Sequence, residues 1–384
     1  MVQTLVTDMF LPAHPLIAAF FEVPDAFVQY SLSAVTLGAA IGFFVAGPLS
    51  DSLGRKTPVL LALGLFTVAG AALYVAPGIE AFVVLRFLQG LAGAATAVIA
   101  QAIIRDLFVG NAMLKILSRA WLISGLAPIV SPMIAAQLML VAPDWRIIPL
   151  ALAVLGVGIF AFASRALVET LHKDNRRAKG FEGVNKRFIA VFKDRILVGL
   201  VLIGMVQTVG LFSYLNIIPF LYQDSLGLTP VEFSMAFSIT AFCWFLGIQA
   251  GAKLGRMFTA HWVIFGALVL AVIAGVGLYL IGSMDVGIET VVPLMAVFLI
   301  SFGMTITPIQ TLALQGHGSE AGTAASVLGV MNSATAAFSA PLYPLIGSAT
   351  TTGLGFTVAI THLAAIAIFF FVVRPSSVPA LVKE

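Results

Sequence analysis

Apolar residues run through this chain in long blocks, and polar residues collect in the short gaps between them. Blocks of about 18 residues or more are each long enough to cross roughly 30 Å of hydrocarbon. They lie near 1–20, 28–50, 57–77, 81–104, 115–141, 146–168, 195–222, 231–253, 261–283, 291–315, 321–348 and 353–373. In lipid the backbone must satisfy its own polar groups, so these blocks predict helices. The two-residue alternation of a membrane barrel is absent. The pattern therefore predicts an all-α polytopic membrane protein with twelve spans. Ahead of Asp8 only roughly 10 Å of helix is available at 1.5 Å per residue, which predicts a first helix truncated at its start.

Composition agrees with lipid as the solvent. The 384 residues are 60% hydrophobic and 10% charged, against about 25% charged in ordinary globular domains. The formal charge of +3 is no nucleic-acid signal, because the basic residues are placed by topology. With the segment Gly47–Lys56 put in the cytoplasm, Arg55, Lys56, Arg105, Lys115, Arg119, Arg165, the basic residues from Lys173 to Arg195, Lys253, Arg256, Arg374 and Lys383 share that side. Arg86 and Arg146 do not. The other side collects Glu22, Asp25, Glu80, Asp144, Asp224, Glu232, Asp285 and Glu289. This asymmetry predicts both termini in the cytoplasm.

The longest polar stretch divides the chain into 1–168, an N-terminal six-helix half, a cytoplasmic linker at 169–194, and 195–384, a C-terminal six-helix half. Gly183–Asp194 could form a short amphipathic surface helix. The halves are weakly repeated. Gly251–Arg256 follows the eighth span as Gly47–Lys56 follows the second, and Pro341 and Pro344 echo Pro128 and Pro132. Six-helix repeats around a midplane site are a plan of secondary transporters.

Two charges, Asp8 and Arg86, fall well inside apolar blocks. Each costs at least about 2.5–3.5 kcal/mol at a helix centre. They read either as a protonation site or as a permanent structural ion pair, because burial favours the neutral acid and a nearby cation the carboxylate. In the loop, Gly47 permits close helix approach and Gly54 a tight turn. Asp51 can accept from a helix N-terminus, and Arg55 can pair with Asp51 or another carboxylate, beside Lys56. Arg105 and Asp106 read as a helix-end pair. Pro128 and Pro132 remove backbone donors and predict a kinked fifth helix, where Gly125 admits a close neighbour. Tyr30, Gln89, Gln101, Gln207, Tyr214, Asn216, Trp244, Gln310 and Asn332 are polar or aromatic groups within spans. They fit either interhelical packing or a mostly apolar cavity with a few polar groups.

Gly47–Lys56 resembles the signature loop of the major facilitator superfamily. Further segments resemble its Bcr/CflA-type drug:proton antiporters, a DHA1-like branch. They are Thr7-Asp8-Met9-Phe10-Leu11-Pro12, Arg86-Phe87-Leu88-Gln89-Gly90, Ser124-Gly125-Leu126-Ala127-Pro128 with Ser131-Pro132, and Ala321-Gly322-Thr323-Ala324-Ala325-Ser326. His14 departs from the branch, which has an aliphatic residue between the two prolines. The resemblance implies a major facilitator fold with pseudo-two-fold symmetry in a bacterial inner membrane. It implies coupling through Asp8 and Arg86, and a cytoplasmic gate latch in which Asp51 faces the eleventh helix near Gly322. It also implies a fifth-helix bend that seals the outer half. The expected cargo is a small amphipathic compound exchanged for protons, by a monomer needing no cofactor beyond the proton gradient. A proton-coupled transporter of a defined metabolite, such as a small peptide, nucleobase or sugar, is the rival, and a non-transport membrane protein is the further alternative. No Walker A loop, grouped histidines or nucleophile motif points to ATP use, a metal or an enzyme.

Overall fold

The computed structural model describes residues 2–108, 110–171, 176, 194–284, 286–315, 328–339 and 350–377. All regular structure among them is helical. The chain is an all-α polytopic membrane protein. Eleven helical stretches among the described residues are long and apolar enough to span a bilayer. The expected span at 321–348 is helical at 328–339, and the rest of it lies outside the described residues. The same holds for Pro341, Pro344, Gly322 and most of the linker, including all of Gly183–Asp194 except Asp194.

The chain divides into two compact units, Met1–Glu182 and Gly183–Glu384. In the first unit the helices are α1 (Val2–Asp8), α2 (His14–Phe21), α3 (Asp25–Leu53), α4 (Lys56–Tyr74), α5 (Ile79–Leu107), α6 (Gly110–Val141) and α7 (Ile147–Ala166). Helix α3 packs along α5, and α4 packs against α5 and α7. In the second unit they are α8 (Arg195–Phe220), α9 (Pro230–Met257), α10 (Ala260–Ile281), α11 (Ile288–Gln315), α12 (328–339) and α13 (Thr351–Ile368). There α9 packs along α11, and α10 packs against α11 and α13. The second unit thus repeats the pairing scheme of the first.

Small residues make these pairings possible. A Cβ placed on Gly90 of α5 would lie 2.0 Å from the Val35 carbonyl oxygen of α3, and one on Gly38 would lie 2.1 Å from that of Phe87. In the second unit Gly247 and Gly303 play the same part against Ile300 and Trp244, at 2.2 and 2.3 Å. Lipid tails are as apolar as leucine, so close backbone contact replaces the hydrophobic drive between spans. The outward faces carry exposed Leu61, Val68, Val154 and Phe162, which is the surface a bilayer requires.

Two expectations are corrected. The first span is not one helix. It breaks after Asp8, passes through a 3₁₀ turn at Leu11–Ala13, and restarts at His14. Pro12 and Pro15 lack the N–H groups that would close on the carbonyls of Asp8 and Leu11. Nor is Gly47–Lys56 one turn, since α3 continues through Pro48 to Leu53 and only Gly54 and Arg55 separate it from α4.

Candidate functional site

Helix α5 carries functional side chains at two depths. Arg86 lies two turns into it and Asp106 near its end, 20 residues further on, or roughly 30 Å of helix.

At the first depth Arg86 is wholly buried. One of its Nη atoms donates to the Val6 carbonyl oxygen in α1 at 2.7 Å and to Gln89 Oε1 at 3.3 Å. Its carbon centre sits 4.0 Å above the Phe10 ring. The helix break explains the geometry. Val6 is in the last turn of α1, where the helix dipole favours a cation, and Phe10 lies in the break itself. A desolvated cation over an aromatic face gains about 2 kcal/mol. The remaining donors, Nε and the other Nη, have no hydrogen-bond acceptor among the described residues.

Asp8 ends α1 and is 6% exposed. It forms no ion pair within 4 Å with Arg86 or with any other described residue. Arg86 is instead taken by the Val6 carbonyl, two residues before Asp8. His14, fully buried at the start of α2, is within electrostatic reach of Arg86. Aromatic rings close this region. Phe82 meets Phe10 at 6.0 Å and Trp145 at 5.5 Å, and Arg146 lies 4.2 Å above Phe20.

At the second depth Arg55 joins the ends of three helices. Its Nε donates to Asp106 Oδ2 at 2.9 Å, and one Nη donates to Asp51 Oδ1 at 2.6 Å and to Ser50 Oγ at 2.8 Å. Its backbone N–H donates to Glu169 Oε1 at 2.7 Å, and that of Lys56 to Glu169 Oε2 at 3.3 Å. Thr170 Oγ1 donates to Asp106 at 3.1 Å. Burial opposes charge on Arg55, but hydrogen bonds to Asp106 and Asp51 outweigh it and hold the guanidinium pKa above its usual value. Glu169 is likewise opposed by partial burial. The N–H groups of Arg55, Leu171 and Lys56, with the Arg176 charge, outweigh that and hold its carboxyl below the usual range.

Several expectations change here. Glu169 is the acceptor at the α4 N-terminus, and the expected Asp51 contact near Gly322 falls outside the described residues. Asp106 pairs with Arg55, not with Arg105. Gly54 has φ 94°, and a Cβ there would lie 2.4 Å from Glu169 Oε2, so only glycine fits the turn. At Gly47 a Cβ would meet Val98 at 3.9 Å, an ordinary contact, so no crowding requires glycine there. Sequence reasoning missed Ser50, Asp106 and Glu169 as partners. Their one signal was position, as polar residues at span ends.

The remaining candidates scatter. Pro128 and Pro132 both lie within the continuous α6, with Gly125 half-buried and the Ser131 hydroxyl bonded back to the Ala127 carbonyl. Gln89 belongs to the Arg86 cluster. Tyr214 is buried in α8, bonded to Thr240 of α9 at 2.9 Å and stacked on Phe237. Asn216 donates to the Phe212 carbonyl at 2.7 Å. Gln207 is buried one turn after Gly204, which faces Asn332 of α12. Tyr30, Gln101, Trp244 and Gln310 are at least partly exposed and share no hydrogen bond among the described residues.

Among the described residues, eleven spanning stretches in two units of like plan, with Asp8 and Arg86 buried in the first, fit a multi-pass transporter. The family model described as Major Facilitator Superfamily matches residues 1–341, and the chain belongs to that superfamily. It is 31% identical over 326 residues to "Uncharacterized MFS-type transporter YdgK" of Bacillus subtilis (strain 168), covering 84% of this chain and 81% of that protein. It is 26% identical over 368 residues to "Bicyclomycin resistance protein homolog" of Haemophilus influenzae, covering 95% and 91%. Among solved structures it resembles a D-xylose-proton symporter with TM-score 0.77 and 14% identity, covering 99% and 96%. That last likeness is one of fold.

Proposed function

We propose that this transporter exports small amphipathic compounds in exchange for protons across a bacterial inner membrane. It works as a monomer with both termini in the cytoplasm, by alternating access, without a cofactor, on the energy of the proton gradient. The observation that carries the reading is Asp8, buried at the end of α1 with no ion-pair partner among the described residues, two residues from the carbonyl that holds Arg86.

A carboxyl in that position has two states of different charge. With Arg86 on the Val6 carbonyl, a carboxylate lacks a cation. With α1 shifted at its Met9–Ala13 break, Arg86 is within reach of Asp8 and the proton leaves. A conformational cycle that alternates these arrangements takes up a proton in one and releases it in the other. The name of the Haemophilus relative supports a drug-like cargo, and among the described residues of the first unit the Lys, Arg, Asp and Glu side chains that are buried are Asp8, Arg86 and Arg55, which suits a weakly charged one.

The test uses the purified full chain in proteoliposomes with an imposed pH gradient and a panel of amphipathic antibiotics and dyes. Gradient-driven uptake that an uncoupler abolishes supports the reading. A panel with no response overturns drug export and turns attention to a defined metabolite.

A further inference from the structure

A cleft of about 540 Å³ opens on the second unit, far along the chain from Asp8 and Arg86. His261 and Trp262 line it from the start of α10. Phe370, Phe371, Arg374 and Ser376 line it from the segment after α13. The backbone there is unusual twice over. Residues Phe369–Val373 form a π turn, closed by the Arg374 N–H on the Phe369 carbonyl at 3.0 Å. Such turns redirect side chains and often mark functional positions. Arg374 itself is left-handed, with φ 55°, a conformation that glycine takes without strain. Strain held at one residue is a reason to ask what its side chain does.

The surroundings are basic. Gly199 packs on Val373, which places the α8 start, with Arg195, at the same end of the unit. The α9 end, with Lys253 and Arg256, leads into α10 through a two-residue connection. Arg374 Nε donates to the Phe371 carbonyl at 3.3 Å, and Asp194 at this end accepts from the N–H groups of Ile196 and Leu197. The aromatic wall is open. Trp262 is 50% exposed and Phe371 78%, while Phe369 behind them is fully buried and fixes the wall in place.

We infer that this cleft binds the phosphate headgroup of an anionic phospholipid. Arg374, the His261 ring N–H and the Ser376 hydroxyl meet the phosphate, and Trp262, Phe370 and Phe371 cover the glycerol and first acyl carbons. A soluble anion uses the cation alone and leaves the aromatic wall without a role. A lipid uses both, at the depth where Trp and basic residues gather in membrane proteins.

The test is quenching of Trp262 fluorescence in full-length protein reconstituted in vesicles. The lipid is brominated phosphatidylglycerol or brominated phosphatidylcholine, and Trp262→Phe identifies the signal. Phosphatidylglycerol should quench at about fivefold lower mole fraction, as one basic contact near the surface implies. Arg374→Gln should remove the preference and Arg374→Lys should keep most of it. Arg374→Gly relaxes the left-handed backbone, so it tests the charge even if Arg374→Gln fails to fold. Equal quenching by both lipids in the parent protein overturns the proposal. So does a preference that survives Arg374→Gly, or one that millimolar inorganic phosphate abolishes.

Discussion

Arg86 donates its 2.7 Å hydrogen bond to the backbone carbonyl of Val6, two residues short of the Asp8 carboxyl. A neutral dipole therefore holds the cation, and Asp8 stands apart from it. A permanent ion pair has no reason to leave its members unjoined, whereas a pair that forms and breaks must be unjoined in one of its states.

Asp8→Asn should abolish substrate movement driven by a pH gradient while leaving exchange at equal pH on both sides. The asparagine keeps the shape and loses the proton. Paired gradient and exchange assays in proteoliposomes check this. Gradient-driven transport at the parental rate would remove Asp8 from the coupling scheme.

The Arg55 network should govern the speed of conformational change more than assembly. Arg55→Met leaves Asp51 and Asp106 without their cation and costs the latched state about 1–3 kcal/mol. Turnover should fall while the amount of protein in the membrane stays near normal. Single-turnover rates compared with expression levels separate the two effects.

Glu169 gives this network a pH signature. Its carboxyl lies below the usual range in the folded protein, so its contribution is fully present above the unfolded value of about 4.3. It is lost as pH falls through the folded value. Glu169→Gln should be less stable than the parent at pH 6 to 7, and the two should converge in acid. Thermal unfolding in detergent from pH 7 down to pH 3.5 measures the difference.

Gly90→Val should prevent the first unit from packing. The new Cβ would lie 2.0 Å from the Val35 carbonyl oxygen, which is backbone and has nowhere to move. Overpacking typically costs about 1–3 kcal/mol and more where backbone must shift. Protease resistance in membranes should drop for Gly90→Val and hold for Gly158→Val, since nothing lies within 4 Å of a Cβ at Gly158.

Much of the architecture was legible from Lys56, Asp8 and Arg86 in their settings. A charge inside an apolar block marks a site, and a charged gap between two blocks marks a turn. Hydrocarbon leaves so few ways to place a polar group that position along the chain already carries the meaning. The partners were not legible. Glu169 reads as the start of a polar linker, yet it accepts from the N–H groups that open α4, 113 and 114 residues away in sequence. Asp106 sits beside Arg105 and pairs with Arg55 instead.

By itself, the sequence determined that this chain is helical, crosses the membrane many times and places charge at Asp8, Arg86 and Arg55, because span length and the cost of burying charge are local quantities. Only the tertiary structure decided that Arg86 takes the Val6 carbonyl rather than Asp8, that Glu169 opens α4, and that Gly38 and Gly90 rather than Gly47 set the helix contact. Each depends on which backbone atoms meet across a helix crossing, and a crossing angle is a property of two packed surfaces that neither strand of sequence contains alone.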